Sequence, residues 1–297
     1  MVSAAAQREI DRLFSVFNPV DPPLAERRAN WERDSLLEAL PEGARYSAVI
    51  AGGVSSEWTE MPGADPRRVL LLLHGGGYNA GSPLIYRKLA ANLARATGFR
   101  VLTPDYRLSP EHVFPAAVED AEAAYDWLIE QGRSPDDIVI AGDSAGGGLT
   151  LSLLLALRAA GKPMPKAAVV MAPWTDLTVS SPSYESLRHL DPIIRRENLL
   201  EAARWYAGPG DPANPMMSPL FADLKALPPL LIHAGGSEVM VDDSRRFAER
   251  ARLAGVDVTE KIWPGLWHVF QTACPAVPEA VEAIDEIGAF VRAQYAA

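Results

Sequence analysis

The sequence predicts the α/β class: a mostly parallel central sheet flanked by helices, with a helical cap. Three observations carry this. Short β-branched or Leu-rich runs alternate with longer segments of helical period. Most of the short runs are continuously apolar, as strands buried on both faces of a parallel sheet must be. Two long stretches break the rhythm and are available to cover one end of the sheet.

The expected strands are residues 46–50, 69–73, 101–103, 138–141, 168–171, 230–233 and 256–263. Helices fall between them. Ser82 is placed to cap a helix that stops at Gly98. Pro115 suits a first helical turn, and Gly132 is placed to end that helix. Residues 144–160 are apolar nearly all round, which describes a helix buried at the centre of the domain. Residues 242–254 and 278–295 are amphipathic. Repeated βα units imply right-handed crossovers and helices on both faces.

The two interruptions are residues 1–45, with Phe14, Phe17 and Trp31, and residues 174–225, with Trp174, Tyr184, Trp205, Tyr206 and six prolines. Together they are expected to form the cap of a single domain spanning residues 1–297. An enzyme on this scaffold needs such a wall to exclude water and select substrates.

Composition bounds the partners. Lys and Arg number 28 against 38 Asp and Glu, a formal charge of −10. That balance disfavours nucleic acid, which needs clustered cations, and anionic membranes likewise. One cysteine, Cys274, allows no intrachain disulfide and fits a reducing compartment. Charges arrive early in the N-terminal stretch, where a signal peptide needs its apolar run, and no apolar run is long enough to span a bilayer. A cytoplasmic protein with no stable membrane insertion is expected.

Chemistry enters with Gly142-Asp143-Ser144-Ala145-Gly146. The motif needs a strand before it and a helix after it, because the Ser must sit on a strained turn that lifts its hydroxyl clear of the sheet. Both are present: Ile138-Val139-Ile140-Ala141 precedes, and an apolar helix follows. The turn also sets the Ala145 amide at a helix N-terminus, whose dipole favours anions. A second glycine turn, His74-Gly75-Gly76-Gly77-Tyr78, ends the 69–73 strand. Acyl transfer builds negative charge on a carbonyl oxygen, and amides aimed at it are each worth roughly 3 kcal/mol. Gly76, Gly77 and Ala145 are the expected donors, with His74 bracing the loop and Asp143 holding nearby loops.

Of five histidines, His268 alone lies on a late loop directly after a strand; His233 is inside an apolar strand, and His112 and His189 lie elsewhere. For a Ser on such an elbow the chain order is Ser, acid, His. Strand 230–233 leads to Glu238, the first carboxylate after it; Asp242, which also suits a helix cap, and Asp176 are the alternatives. The acid fixes the imidazole tautomer and stabilises the imidazolium. No His-Glu-x-x-His, paired cysteines or phosphate loop occurs, so neither metal nor cofactor is expected.

With these residues in place, the chain resembles the hormone-sensitive-lipase family of microbial carboxylesterases, which have the α/β-hydrolase fold. His74-Gly75-Gly76-Gly77 matches the family's oxyanion loop, and Gly142-Asp143-Ser144-Ala145-Gly146-Gly147 its nucleophile elbow. Tyr106-Arg107-Leu108-Ser109-Pro110-Glu111-His112, followed by Phe114-Pro115-Ala116-Ala117, resembles a segment typical of the family, and Trp267-His268-Val269-Phe270 its histidine loop. One departure stands out: the family commonly has Asp, three residues, then Asp at the acid site, and here the pattern reads Glu238 and Asp242. The resemblance implies hydrolysis of short- to medium-chain carboxylic esters through a covalent acyl-enzyme, a cap drawn partly from the N-terminus, and a homodimer. Arg107 and Glu111 are expected to pair with each other and brace the oxyanion loop. Tyr78, Tyr184 and Trp205 are the expected pocket residues.

Competing readings share parts of this machinery. A lipase for long acyl chains differs only in pocket length and cap mobility. An amidase asks more of the acid step, because amines leave less readily. A binding protein of the hormone-receptor kind keeps the fold but does not need the histidine, which this chain retains at His268.

Overall fold

The computed structural model of the chain describes residues 2–16 and 22–296. Phe17, one of the aromatics expected in the cap, lies outside them. The strands are β1 (Arg45–Ala51), β2 (Val54–Glu60), β3 (Asp65–Leu73), β4 (Phe99–Pro104), β5 (Ile138–Asp143), β6 (Ala167–Met171), β7 (Leu230–Gly235) and β8 (Val258–Trp263). The helices are α1 (Ala4–Val16), α2 (Leu24–Ser35), α3 (Pro83–Thr97), α4 (Ala116–Glu130), α5 (Ser144–Ala159), the single turn α6 (Ser183–Ser186), α7 (Arg196–Ala207), α8 (Val241–Leu253) and α9 (Pro278–Ala293).

The strands form one sheet in the order β1-β2-β4-β3-β5-β6-β7-β8. β1 and β2 pair antiparallel, β2 joins β4 antiparallel, and every later pairing is parallel. Strand alternation builds two cores from one sheet. Val69, Leu71, Leu73, Ile138, Ile140 and Val170 face α4, α5 and α8. Leu70, Leu72, Val139, Ala141, Val169 and Met171 face α3 and α9, with Ala6 of α1 packed into that layer. Leu70 to Leu73 are all fully buried, so each contributes roughly 1.5–3 kcal/mol of transfer free energy. Both faces being covered is why these strands read as continuous apolar runs rather than alternating ones.

β2 escaped the sequence reading. Its residues, Val-Ser-Ser-Glu-Trp-Thr-Glu, mix buried positions with exposed and half-buried ones, as a strand one place from the sheet's edge does. A signal was present nonetheless. Gly52 and Gly53 join β1 to β2 with φ of 60° and 88°, the left-handed pair that a tight hairpin turn requires. Helix caps differ in one respect from expectation. Gly98 ends α3 at φ 77° and α3 starts at Pro83, but the Ser82 hydroxyl makes no capping bond. Pro83 supplies the start instead, since its missing N–H is one of the orphans of a first turn.

Covering segments come from both interruptions. α2 and the stretch leading into α7 overlie the carboxyl ends of the central strands and wall the cavity described below. α1 packs instead beside α9, anchored by the Ser3 N–H and hydroxyl on Glu279 at 2.5 and 2.8 Å. The beginning of the second interruption is not covering at all: Trp174, Leu177 and Tyr184 are buried in the core. Among the described residues no helix is long and apolar enough to cross a membrane.

Candidate active site

The carboxyl ends of β3, β5, β7 and β8 bring four loops together. At the end of β5 the chain turns sharply into α5, and Ser144 takes φ 51°, a left-handed conformation that is strained for a residue with a side chain. The flanking glycines are dictated by close approach. A Cβ on Gly146 would collide with the carbonyl oxygens of Leu73 and His74, and one on Gly142 with the carbonyl oxygen of Gly146. The elbow and the loop after β3 therefore touch backbone to backbone. The Ser144 carbonyl accepts the Trp174 N–H at 2.9 Å, tying the elbow to the strand end beyond it.

The loop after β3 is braced from beneath. The Gly75 N–H donates to the Tyr86 hydroxyl at 2.7 Å and to Asp143 Oδ1 at 3.2 Å, while Tyr86 donates to Asp143 Oδ2 at 2.8 Å. Burial pushes Asp143 up to about 6, against the pull of the Tyr86 hydrogen bond and of His268. The His74 ring stacks on Tyr106 with centroids 4.1 Å apart, and its Nδ1 lies 2.9 Å from the Gly75 carbonyl. Burial takes His74 down to about 4, so it is neutral at physiological pH and no general base of the ordinary range. Beyond it, Gly76 and Gly77 take φ of 114° and 64°. Among the described residues neither of their N–H groups has an acceptor, and both glycines line the cavity that contains Ser144.

His268 stands on the loop after β8, and its Nδ1–H donates to Glu238 Oε2 at 3.2 Å. Glu238 is wholly buried and His268 is 5% exposed. Burial works against a charged imidazole, but the hydrogen bond and charge of Glu238, with Asp191 and Asp143 beyond it, hold His268 above its ordinary value. Burial likewise raises Glu238, and His268 draws it back. The other ring nitrogen, Nε2, has no hydrogen-bond partner among the described residues. His268 and Ser144 line the same cavity, of about 370 Å³.

Comparison with known proteins falls in line with this geometry. Residues 70–272 match the family model described as the alpha/beta hydrolase fold. An acetyl-hydrolase of Streptomyces hygroscopicus is 44% identical over 82% of this chain and 81% of its own. The crystal structure of an esterase from the bacterial hormone-sensitive lipase family superposes with a TM-score of 0.96, at 40% identity, over 99% of each chain. The chain belongs to the hormone-sensitive-lipase family of α/β-hydrolases. A further family structure, EstE5 soaked with p-nitrophenyl butyrate, has a TM-score of 0.96 and 38% identity, covering 99% of this chain and 100% of its own.

Within this hydrolase the three carboxylates weighed for the histidine's partner separate cleanly. Glu238 meets His268. Asp242 accepts the Ser183 N–H at 3.1 Å and pairs with Arg245 at 3.0 Å. Asp176 bonds the hydroxyls of Thr178 and Ser180 and pairs with Arg246 at 3.2 Å.

Two expectations are overturned. Arg107 and Glu111 do not pair: Arg107 binds Asp120 at 2.8 Å and Glu119 at 2.9 Å, while Glu111 binds Arg28 at 2.7 Å. Arg28 also donates to the Asn79 and Ser109 carbonyls, so the brace on the loop after β3 comes from α2. Nor do Tyr78, Tyr184 or Trp205 line the cavity. Tyr78 stacks on Tyr206 at 3.8 Å within the core, Tyr184 is buried, and Trp205 is half-buried on α7 outside the cavity. A large aromatic after a glycine turn packs inward when that is where the apolar surface lies. The walls are instead Trp31 of α2, Ile193 and Ile194 before α7, Leu199 and Ala202 on it, and Val269 after the histidine. Nothing in their local pattern distinguishes them from packing residues. Asp191, buried beside the histidine and its acid, also went unnoticed for want of any motif.

Proposed function

We propose that this chain is a serine carboxylesterase in which Ser144 is the nucleophile, His268 the general base and Glu238 the acid. The observation that carries the reading is a buried carboxylate on His268 Nδ1, with the opposite ring nitrogen left for a hydroxyl in the cavity that both His268 and Ser144 line. His268 Nε2 takes the Ser144 proton as Oγ attacks the ester carbonyl. The carbonyl oxygen becomes an oxyanion and is held by the Gly76, Gly77 and Ala145 amides. His268 then protonates the departing alcohol. Water, deprotonated by the same nitrogen, attacks the acyl-enzyme and releases the acid.

Short to medium acyl chains are the preferred substrates. A cavity of about 370 Å³ is at the small end of ligand sites, which run from roughly 300 to 1,000 Å³. The names of the relatives agree, one being an acetyl-hydrolase and another having been soaked with a butyrate ester. The same size argues against a lipase for long chains. The covering segments, drawn from residues 1–45 and 174–225, act as the cap of a single domain. A homodimer is also proposed, and a monomer mass by light scattering at micromolar concentration removes it.

The test is hydrolysis of p-nitrophenyl esters from acetate to palmitate by wild type and Ser144→Ala side by side. Wild type should be fastest on the shorter chains, and the variant should lose roughly 10⁴-fold or more in kcat. Equal rates for the two proteins on every ester would falsify the assignment of the nucleophile.

A further inference from the structure

We propose that Asp191 is a positioning residue for the His268–Glu238 pair, locking the cavity wall and the acid's loop to a single carboxylate. The inference rests on the assignment of His268 and Glu238 as base and acid.

Asp191 lies in the covering segment just before α7 and is 1% exposed. A buried carboxylate needs compensation for lost hydration, and three backbone amides provide it. Oδ1 accepts the N–H of Ile193 at 2.8 Å and of Ile194 at 2.9 Å. Oδ2 accepts the N–H of Val239 at 2.9 Å. Ile193 and Ile194 line the catalytic cavity, and Val239 directly follows Glu238. One side chain thus fixes both the wall that meets the substrate and the loop that orients the histidine.

The chemistry requires a carboxylate there. All three partners are donors, so the site needs acceptors on both oxygens. An amide presents only one acceptor and must turn an NH₂ toward an N–H. Charge adds a second effect. His268 is faced by Glu238 from the loop after β7, by Asp143 from the end of β5, and by Asp191 from the covering segment. Burial raises Asp191 while His268 and the three amides draw it down. The imidazolium formed during acyl transfer is therefore stabilised by carboxylates from three separate elements, of which Glu238 alone contacts it. The seating of the cap and the orientation of the base become one event.

Asp191→Asn and Asp191→Glu, made in the full chain, separate charge from placement. The readouts are kcat and KM on p-nitrophenyl acetate and butyrate, and the pH profile of kcat/KM. The Asn variant is expected to lose about tenfold or more in kcat, with the acidic limb displaced to lower pH, because removing a negative charge makes the imidazolium easier to deprotonate. The Glu variant should lose kcat while its acidic limb stays at the wild-type position. An Asn variant with an unmoved limb and kcat within twofold of wild type overturns the proposal. Should the Asn variant not fold, full wild-type kcat in the Glu variant overturns it instead. Full activity in a Ser144→Ala control brings down the underlying triad, an outcome distinct from either result at Asp191.

Discussion

At the scale of single residues, the proposed acid is where this family member departs from the usual Asp. Glu238 is one methylene longer, yet it reaches His268 Nδ1 at 3.2 Å while wholly buried. Its charge offsets the burial of the imidazole and keeps His268 above the ordinary value of 6.5. The sign follows directly. As the proposed base, His268 works when neutral, so kcat/KM should fall as the pH drops through its pKa, with the midpoint above 6.5. Glu238→Gln removes the charge and should shift that limb to lower pH while cutting kcat by roughly 10²- to 10⁴-fold. Asp242→Asn, whose side chain meets Ser183 and Arg245 instead, should leave the profile in place. Rate against pH for the two variants decides the acid; a reversed pattern assigns it to Asp242.

At the scale of elements, the site depends on how the β3 loop and the β5 elbow are pressed together. Gly146 sits against the carbonyls of Leu73 and His74, neither of which is a flexible side chain. Gly146→Ala should force those backbones apart, lowering stability by about 1–3 kcal/mol and activity with it. Denaturant midpoints and ester turnover, measured together, check this; a variant of unchanged midpoint and rate contradicts the close packing. The Tyr86 hydroxyl links α3 to the same place, accepting from Gly75 and donating to Asp143. Tyr86→Phe removes two buried hydrogen bonds and leaves the Gly75 amide and Asp143 with only their own 3.2 Å contact, which should cost about 1–3 kcal/mol. Because Gly75 precedes the glycines proposed to hold the oxyanion, kcat should drop more than KM rises, a split visible in steady-state kinetics.

At the scale of the whole molecule, two cores share one sheet. Leu71 and Leu73 belong to one, and Leu70 and Leu72, on the same strand, to the other. Because β3 supplies both cores, loss of either strips a face from the strand that the other needs, and the sheet with its two layers is expected to unfold in a single cooperative transition. Far-ultraviolet circular dichroism and tryptophan fluorescence in urea should give coincident curves. Two separated transitions would show that the covering segments form an independent unit.

How much of this was legible beforehand depended on whether a feature is local. The elbow at Ser144, the glycine run at 75–77, the apolar strands and the late histidine loop each have a cause within a few neighbouring residues. A strained turn needs glycine beside it, and a strand buried on both faces must be apolar throughout. The fold class and the nucleophile and histidine candidates could therefore be named from the sequence by itself. Only tertiary structure decided which carboxylate meets His268, which arginine braces which loop, and which side chains wall the cavity. Arg28 and Glu111, like Asp191 and Val239, are far apart in the chain and brought together by folding. A carboxylate or an isoleucine carries no local mark of its eventual partner, because that partner is set by where the sheet and its covering segments meet.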